Sequence, residues 1–89
     1  MAKSILVNEE TVNEILKRLN ILAEETNIVL SQANRAVENA ELQGWNDLNY
    51  VTFKDNFENA ERKIKEGVKE IEEVLTPELK KILASIESF

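Results

Sequence analysis

Along most of this chain apolar residues recur every three or four positions. In the first half they are Val12, Ile15, Leu19, Leu22, Val29, Ala33, Ala36 and Ala40, with Thr26 the one polar member of the series. Such a period marks an amphipathic helix, and sustained over this length it is a heptad seam. A second file, Leu16, Ala23, Leu30 and Val37, lies beside the first, so the apolar stripe is wider than one neighbouring helix can cover. The spacing predicts a helix over about 8–42, on the order of 50 Å long at about 1.5 Å per residue. Asn8 is placed to cap it, Glu9 and Glu10 stand where carboxylates favour the positive end of the dipole, and Glu14 precedes Arg18 by one turn.

In the second half, Tyr50, Phe53, Phe57, Ala60, Ile64, Gly67, Ile71 and Val74 repeat the spacing, with Val68 and Leu75 on one flank. Folding the chain back on itself pairs Ala40 with Tyr50, Ala36 with Phe53, Ala33 with Phe57, Val29 with Ala60, Thr26 with Ile64, Leu22 with Gly67, Leu19 with Ile71 and Ile15 with Val74. In every pair the residue numbers sum to 89 or 90. Large residues meet small ones, as close packing of two helices requires. This pattern predicts an all-α fold, an antiparallel two-helix hairpin. Its turn falls at 43–46, with Gly44 ending the first helix and Asn46 or Asp47 capping a second helix over about 47–75.

Thr76, Pro77 and Glu78 then read as a fresh helix start, followed by Leu79, Ile82, Leu83, Ile86 and Phe89 in a shifted phase. The expectation is a short C-terminal helix over about 77–88, separate or as a kinked continuation. It either covers the open end of the hairpin near Ile5 and Val7 or binds a partner.

Composition narrows the picture. At 89 residues the chain reads as one domain, small enough that a partner is expected to complete its core. The leftover files then suggest dimerisation into a four-helix bundle through Leu16, Ala23, Leu30, Val37, Val68 and Leu75. Ile21 and Ile28, on the opposite face in line with Leu42, offer either ordinary exposed apolar groups or a contact stripe. Asn13, Asn20, Asn27 and Asn34, one heptad apart, form either a neutral polar rim or a hydrogen-bonded edge that fixes the register of a partner.

Acidic residues outnumber basic ones 17 to 11, for a net charge of −6, and each half of the chain nets −3, which speaks against nucleic acid as a partner. There is no His and no Cys, so the usual general base, nucleophile and transition-metal ligands are missing and no enzyme activity, cofactor or metal is expected. The cluster Glu70, Glu72, Glu73 beside Lys69 reads as a solvated face. No apolar run reaches the roughly 18 residues of a membrane span, and MAKSILVNEE lacks the apolar core of a secretory signal. The expected location is the cytoplasm, with export by a non-classical route as the alternative.

The stretch LQGWNDLNY, residues 42–50, gathers the sole Trp, the sole Tyr and one of two Gly. Trp45 either plugs the end of the hairpin against Leu42 and Leu48 or forms part of a docking surface. A tryptophan in the turn between two long helices, together with the N-terminal run ILVNEETV (5–12) and with Tyr50 and Phe53 opening the second helix, resembles the WXG-motif superfamily of small helical-hairpin proteins of ESX or type VII secretion. The strict motif is degenerate, because Asp47 stands where the family has glycine; Asp can cap a helix in its place. The family's export signal, a tyrosine followed four residues on by an acid, has no match, since Tyr50 is followed at that distance by Lys54; Phe57 and Glu61 give a phenylalanine version that the mirror pairing places in the core. The resemblance implies a type VII secretion substrate or partner, one that dimerises with another hairpin or with the helical targeting region of a toxin and relies on its partner's signal for export. Two other readings stand beside it: an intracellular homodimeric adaptor, or an antitoxin that masks an enzyme.

Overall fold

The computed structural model describes residues 8–88, all-helical with no strand among them. Helix α1 spans Glu9–Leu42 and α2 Leu48–Glu70; one π-helical turn, Ile71–Leu75, carries α2 without a break into α3, Thr76–Glu87. The result is two rods side by side in a body of 65 × 17 × 16 Å. Its radius of gyration of 19.7 Å compares with about 12 Å for a compact chain of this length.

Local chemistry sets each boundary. The Asn8 carboxamide oxygen accepts the Thr11 N–H at 2.8 Å and satisfies one of the orphan donors at the start of α1. At the far end Gly44 takes φ +106°, its N–H donates to Glu41 O, and the Trp45 N–H reaches back to Ala40 O, both at 3.0 Å. These two bonds make a Schellman motif, which needs a residue in the left-handed region and so favours glycine. The turn runs one residue further than 43–46, because Asp47 is the cap of α2: its carboxylate accepts the Tyr50 N–H at 3.0 Å. Asn46 has no such role.

At the third boundary the structure follows the continuation, not the separate helix. Leu75 and Thr76 keep right-handed helical angles, no side chain caps α3, and the Thr76 N–H donates to Ile71 O, five residues back. Pro77 has no N–H to give and its ring crowds the carbonyl of Glu73, so a wider turn relieves the clash that an α-helix would suffer there. That turn inserts one residue into the register. Before it the inward positions on the second rod are Phe57, Glu61, Val68 and Ile71; after it they are Thr76, Leu79, Leu83 and Ile86. Without the insertion Glu78 and Ser85 would face α1. Instead α3 lies along α1. The expected neighbours Ile5 and Val7 lie outside the described residues, as does Phe89.

Contacts between the rods run in reverse sequence order, from Glu41 with Lys54 to Asn34 with Glu61 and on to α1 with α3. On α1 the inward positions are Val12, Leu16, Leu19, Ala23, Thr26, Leu30, Ala33, Val37 and Ala40, of which Val12, Ala23 and Leu30 are fully buried; Tyr50 and Val68 are the buried residues opposite. The seam is therefore rotated by one file from the one the periodicity suggested. Of the eight mirror pairs, the four whose numbers sum to 90 are Ala40 with Tyr50, Ala33 with Phe57, Thr26 with Ile64, and Leu19 with Ile71, and all their members are buried or half-buried except Ile64, which is exposed. In the four that sum to 89 every member is exposed, among them Ile15, Leu22, Val29, Phe53 and Val74. Leu16, Ala23, Leu30, Val37 and Val68, expected to meet a partner, instead fill the space between the chain's own rods.

Two outcomes test this account. Replacing Leu30 by Asp buries an unpaired carboxylate and should cost about 3–5 kcal/mol, enough to abolish a cooperative thermal transition in far-UV circular dichroism; a normal melt would show that Leu30 is not interior. Gly44→Ala meets no atom within 4 Å, so its penalty is backbone strain alone, about 1 kcal/mol, or a Tm lowered by roughly 4–8 °C.

Candidate docking face

With α1 and the second rod antiparallel, each has two flanks beside its contact line, and these flanks differ in chemistry. One flank carries the asparagine file Asn13, Asn20, Asn27 and Asn34 on α1 and Val51, Glu58, Lys65 and Glu72 on the second rod, Val51 being 49% exposed. One polar contact crosses it, the Asn34 amide donating to the Glu61 carboxylate at 3.2 Å; Lys65, one turn on from Glu61, stands 3.8 Å from the same carboxylate, and Asn20 donates to Glu24 within α1. Of the two readings of that file, Asn34 follows the hydrogen-bonded one, but its partner belongs to the same chain. The pairing also ties Glu61 down and leaves Phe57 half-buried, so neither is free as the phenylalanine version of an export signal.

The other flank is apolar and open. Ile15, Leu22 and Val29 are 43%, 51% and 60% exposed, and Ala36 continues their file; Phe53 and Val74 are 46% and 52% exposed, with Ala60 and Gly67 between them. Ile82, displaced by the one-residue insertion at the π turn, carries the file on to α3. These residues cover one side of the molecule for most of its length. In its middle lies an open groove of about 460 Å³ lined by Leu22, Glu25, Thr26, Val29, Leu30, Ala33, Phe57 and Ile64. A Cβ added at Gly67 would touch nothing within 4 Å. The small residues on this face thus accommodate no neighbour in their own chain.

Around the apolar strip stand charged and polar rims: Thr11, Arg18, Glu25, Gln32 and Asn39 on α1, and Asn56, Lys63 and Glu70 on the second rod. An apolar centre with a polar border is the usual anatomy of a protein interface.

At the turn end an aromatic ladder continues the face. Trp45 meets Tyr50 edge-on at 5.1 Å between centroids and Phe53 at 6.0 Å, and Phe53 stacks on Phe57 at 6.2 Å. Trp45 remains 42% exposed while Leu42 and Leu48 are 85% and 78% exposed, so it plugs no pocket with those two leucines and rests on the aromatics instead. Beneath it Tyr50 is buried, its hydroxyl 3.1 Å from both Val37 O and the Glu41 carboxylate, and Lys54 lies 3.4 Å from the same carboxylate. Gly44, Trp45 and Asp47 are thus assembled in one turn, each with a separate role.

The remaining positions are simply placed. Ile28 is 57% exposed and Ile21 half-covered, both on the outer side of α1; Leu75, 40% exposed, edges the π turn. Glu70, Glu72 and Glu73 are all exposed, and among the described residues no group of three potential metal ligands converges. No described helix is long and apolar enough to cross a membrane. Sequence reasoning put Ile15, Leu22, Val29, Phe53 and Val74 in the core. The signal that separates them is the contrast between flanks, since only the flank without asparagines is left apolar.

Burial, followed by the adjoining Glu41 carboxylate, raises the Tyr50 phenol above its ordinary 10.0, and the hydrogen bond to Glu41 raises the Lys54 ammonium above 10.5. In both cases the protonated form is favoured by folding. Their contribution to stability is complete below the unfolded value near pH 10 and is lost as pH rises through the folded values. Because Tyr50 is the sole tyrosine, its phenolate absorbance reports this one site: the titration midpoint should lie above 10 in the folded chain and return to about 10 in denaturant. Coincident curves would contradict the burial of Tyr50.

Compared with protein families, with curated proteins and with solved structures, the chain matches none of them.

Proposed function

We propose that this protein is a non-enzymatic helical hairpin that works by docking its open apolar flank onto another helical hairpin, completing a four-helix bundle. The observation that supports this most directly is the asymmetry of the flanks. A solitary hairpin gains nothing by leaving Ile15, Leu22, Val29, Phe53 and Val74 in water while closing its opposite edge with Asn34 and Glu61. Burying such side chains against a partner is worth about 25 cal/mol per Å². The partner-binding set moves accordingly, away from Leu16, Ala23, Leu30, Val37 and Val68 and onto the flank beside them.

The biological setting we favour is type VII secretion, as a substrate or as the partner of a substrate, on the resemblance to WXG-motif hairpins. In support, Trp45 sits in the turn between two long helical rods, and Asp47, which replaces the motif glycine, keeps the turn intact by capping α2.

Leu22→Asp combined with Val29→Asp should leave helical content and Tm nearly unchanged, because both positions are exposed in the lone chain. The wild-type chain in an extract of its native cells should run in a complex larger than its own 10.2 kDa, and the double variant should run as a monomer. A wild-type chain that is monomeric there, or a variant that keeps its complex, overturns the docking role. For the secretion setting, the chain or its partner should disappear from the medium when the membrane ATPase of the system is deleted; unchanged export, or none in the parent strain, would count against it.

A further inference from the structure

We infer that the hairpin has a second packing, in which each rod turns by one file about its own axis, so that the chain itself covers the flank now open and withdraws its docking face. That the turn withdraws a docking face rests on the hairpin-docking reading; the turn itself is a property of the lone chain.

The structure provides room for it. The groove of about 460 Å³ on the open flank reaches in from Leu22 and Val29 on one rod, and from Phe57 and Ile64 on the other, as far as the buried Leu30. A Cβ added at Gly67 would meet no atom within 4 Å, and both files of the flank, Ile15, Leu22, Val29 and Ala36 on α1 and Phe53, Ala60, Gly67 and Val74 on the second rod, are exposed throughout. Residues three and four apart stand roughly 40–60° from one another around a helix. A turn of each rod by about 50° therefore carries these files to the contact line, and the groove is the space they move into.

The exchange of residues also favours it. As packed here, the second rod holds its more polar file inward: Lys54 and Glu61 are half-buried, the Glu61 side chain only 14% exposed, while the wholly uncharged file of Phe53, Ala60, Gly67 and Val74 stands in water. Turning that rod returns both charges to solvent and covers the uncharged file, at the cost of uncovering Val68. On α1 the exchange is like for like, with Leu16, Ala23, Leu30 and Val37 going out and Ile15, Leu22, Val29 and Ala36 coming in. On α3, Ile82 replaces Leu83 beside Leu79 and Ile86. The middle files, Val12, Leu19, Thr26, Ala33 and Ala40 with Tyr50, Phe57, Ile64 and Ile71, stay between the rods in both packings.

Two latches hold the packing seen here. The Asn34 amide is bonded to the Glu61 carboxylate, and the Tyr50 hydroxyl to Val37 O; turning moves Asn34, Glu61 and Val37 away from the seam and releases both. Close-packed elements settle in discrete arrangements of this kind rather than deforming continuously. A partner on the open flank binds only the packing seen here, so it competes with the turn, and its apparent affinity falls by the fraction of the chain that has turned.

The chain has no native cysteine, so Ala23→Cys places a unique thiol at a position 2% exposed. Its reaction with an aromatic disulfide reagent is followed on the isolated chain, diluted until light scattering gives the mass of one molecule. The rate should be nearly independent of urea at low concentration, because the turn exposes little net surface. Asn34→Ala should raise it about fivefold by removing one latch. Val29→Asp, exposed as packed here but carried inward by the turn, should lower it by about tenfold or more while leaving Tm unchanged. Leu30→Cys, from the same file, should respond to both substitutions in the same way. A rate that climbs with urea in step with global unfolding, one that Val29→Asp leaves unchanged, or opposite responses at positions 23 and 30 would overturn the second packing. Each of these results is read without a partner, so the docking role stands or falls separately, on the complexes formed in native cells.

Discussion

A helix that lies against one neighbour hides a stripe two residues wide per turn, and this chain builds a stripe three wide on each of its rods. Everything notable about the molecule follows from that mismatch. The shared middle file, Val12, Leu19, Thr26, Ala33 and Ala40, can combine with either neighbouring file. It combines with Leu16, Ala23, Leu30 and Val37, leaving Ile15, Leu22, Val29 and Ala36 outside. The second rod makes the same choice. Two rods cannot do otherwise, because a pair of cylinders has one line of contact and two open flanks.

Which flank stays open is decided by polar chemistry. Asparagines at heptad spacing border the buried file, and one of them, Asn34, reaches Glu61 across the seam. No side-chain nitrogen or oxygen is buried without a partner among the described residues. The opposite edge has only carbon to offer along its centre, and carbon is satisfied only by being covered. The proposed bundle answers this with a second hairpin, and the exposed charges of Arg18, Glu25, Lys63 and Glu70 border the strip it would cover.

The turn and the π-helical step serve the same geometry. Gly44 and Asp47 close the chain within a few residues, and the buried Tyr50 hydroxyl pins α2 to the carbonyl of Val37 and the carboxylate of Glu41, so both rods enter the seam in fixed phase. Further along, Pro77 forces a widened turn, and the resulting one-residue shift brings Leu79, Leu83 and Ile86 against α1 and Ile82 into line with Val74. A proline that reads as a stop is here a phase correction.

By itself the sequence determined the helical class, both ends of α1 and the place of the turn, because capping and hydrophobic period are local: Asn8, Gly44 and Asp47 act on atoms within a few residues of themselves. What it left open was which of two adjacent files turns inward, since 3.6 residues per turn places both Ile15 and Leu16 near the contact line and each set of partners looks equally apolar. Only the tertiary structure decided that, through interactions between residues distant in sequence, Asn34 with Glu61 and Tyr50 with Val37. The unbroken passage through Thr76 was likewise a tertiary decision. Locally Thr-Pro-Glu favours a new start, but only an unbroken helix one residue out of register puts Leu79, Leu83 and Ile86 against α1 in place of Glu78 and Ser85.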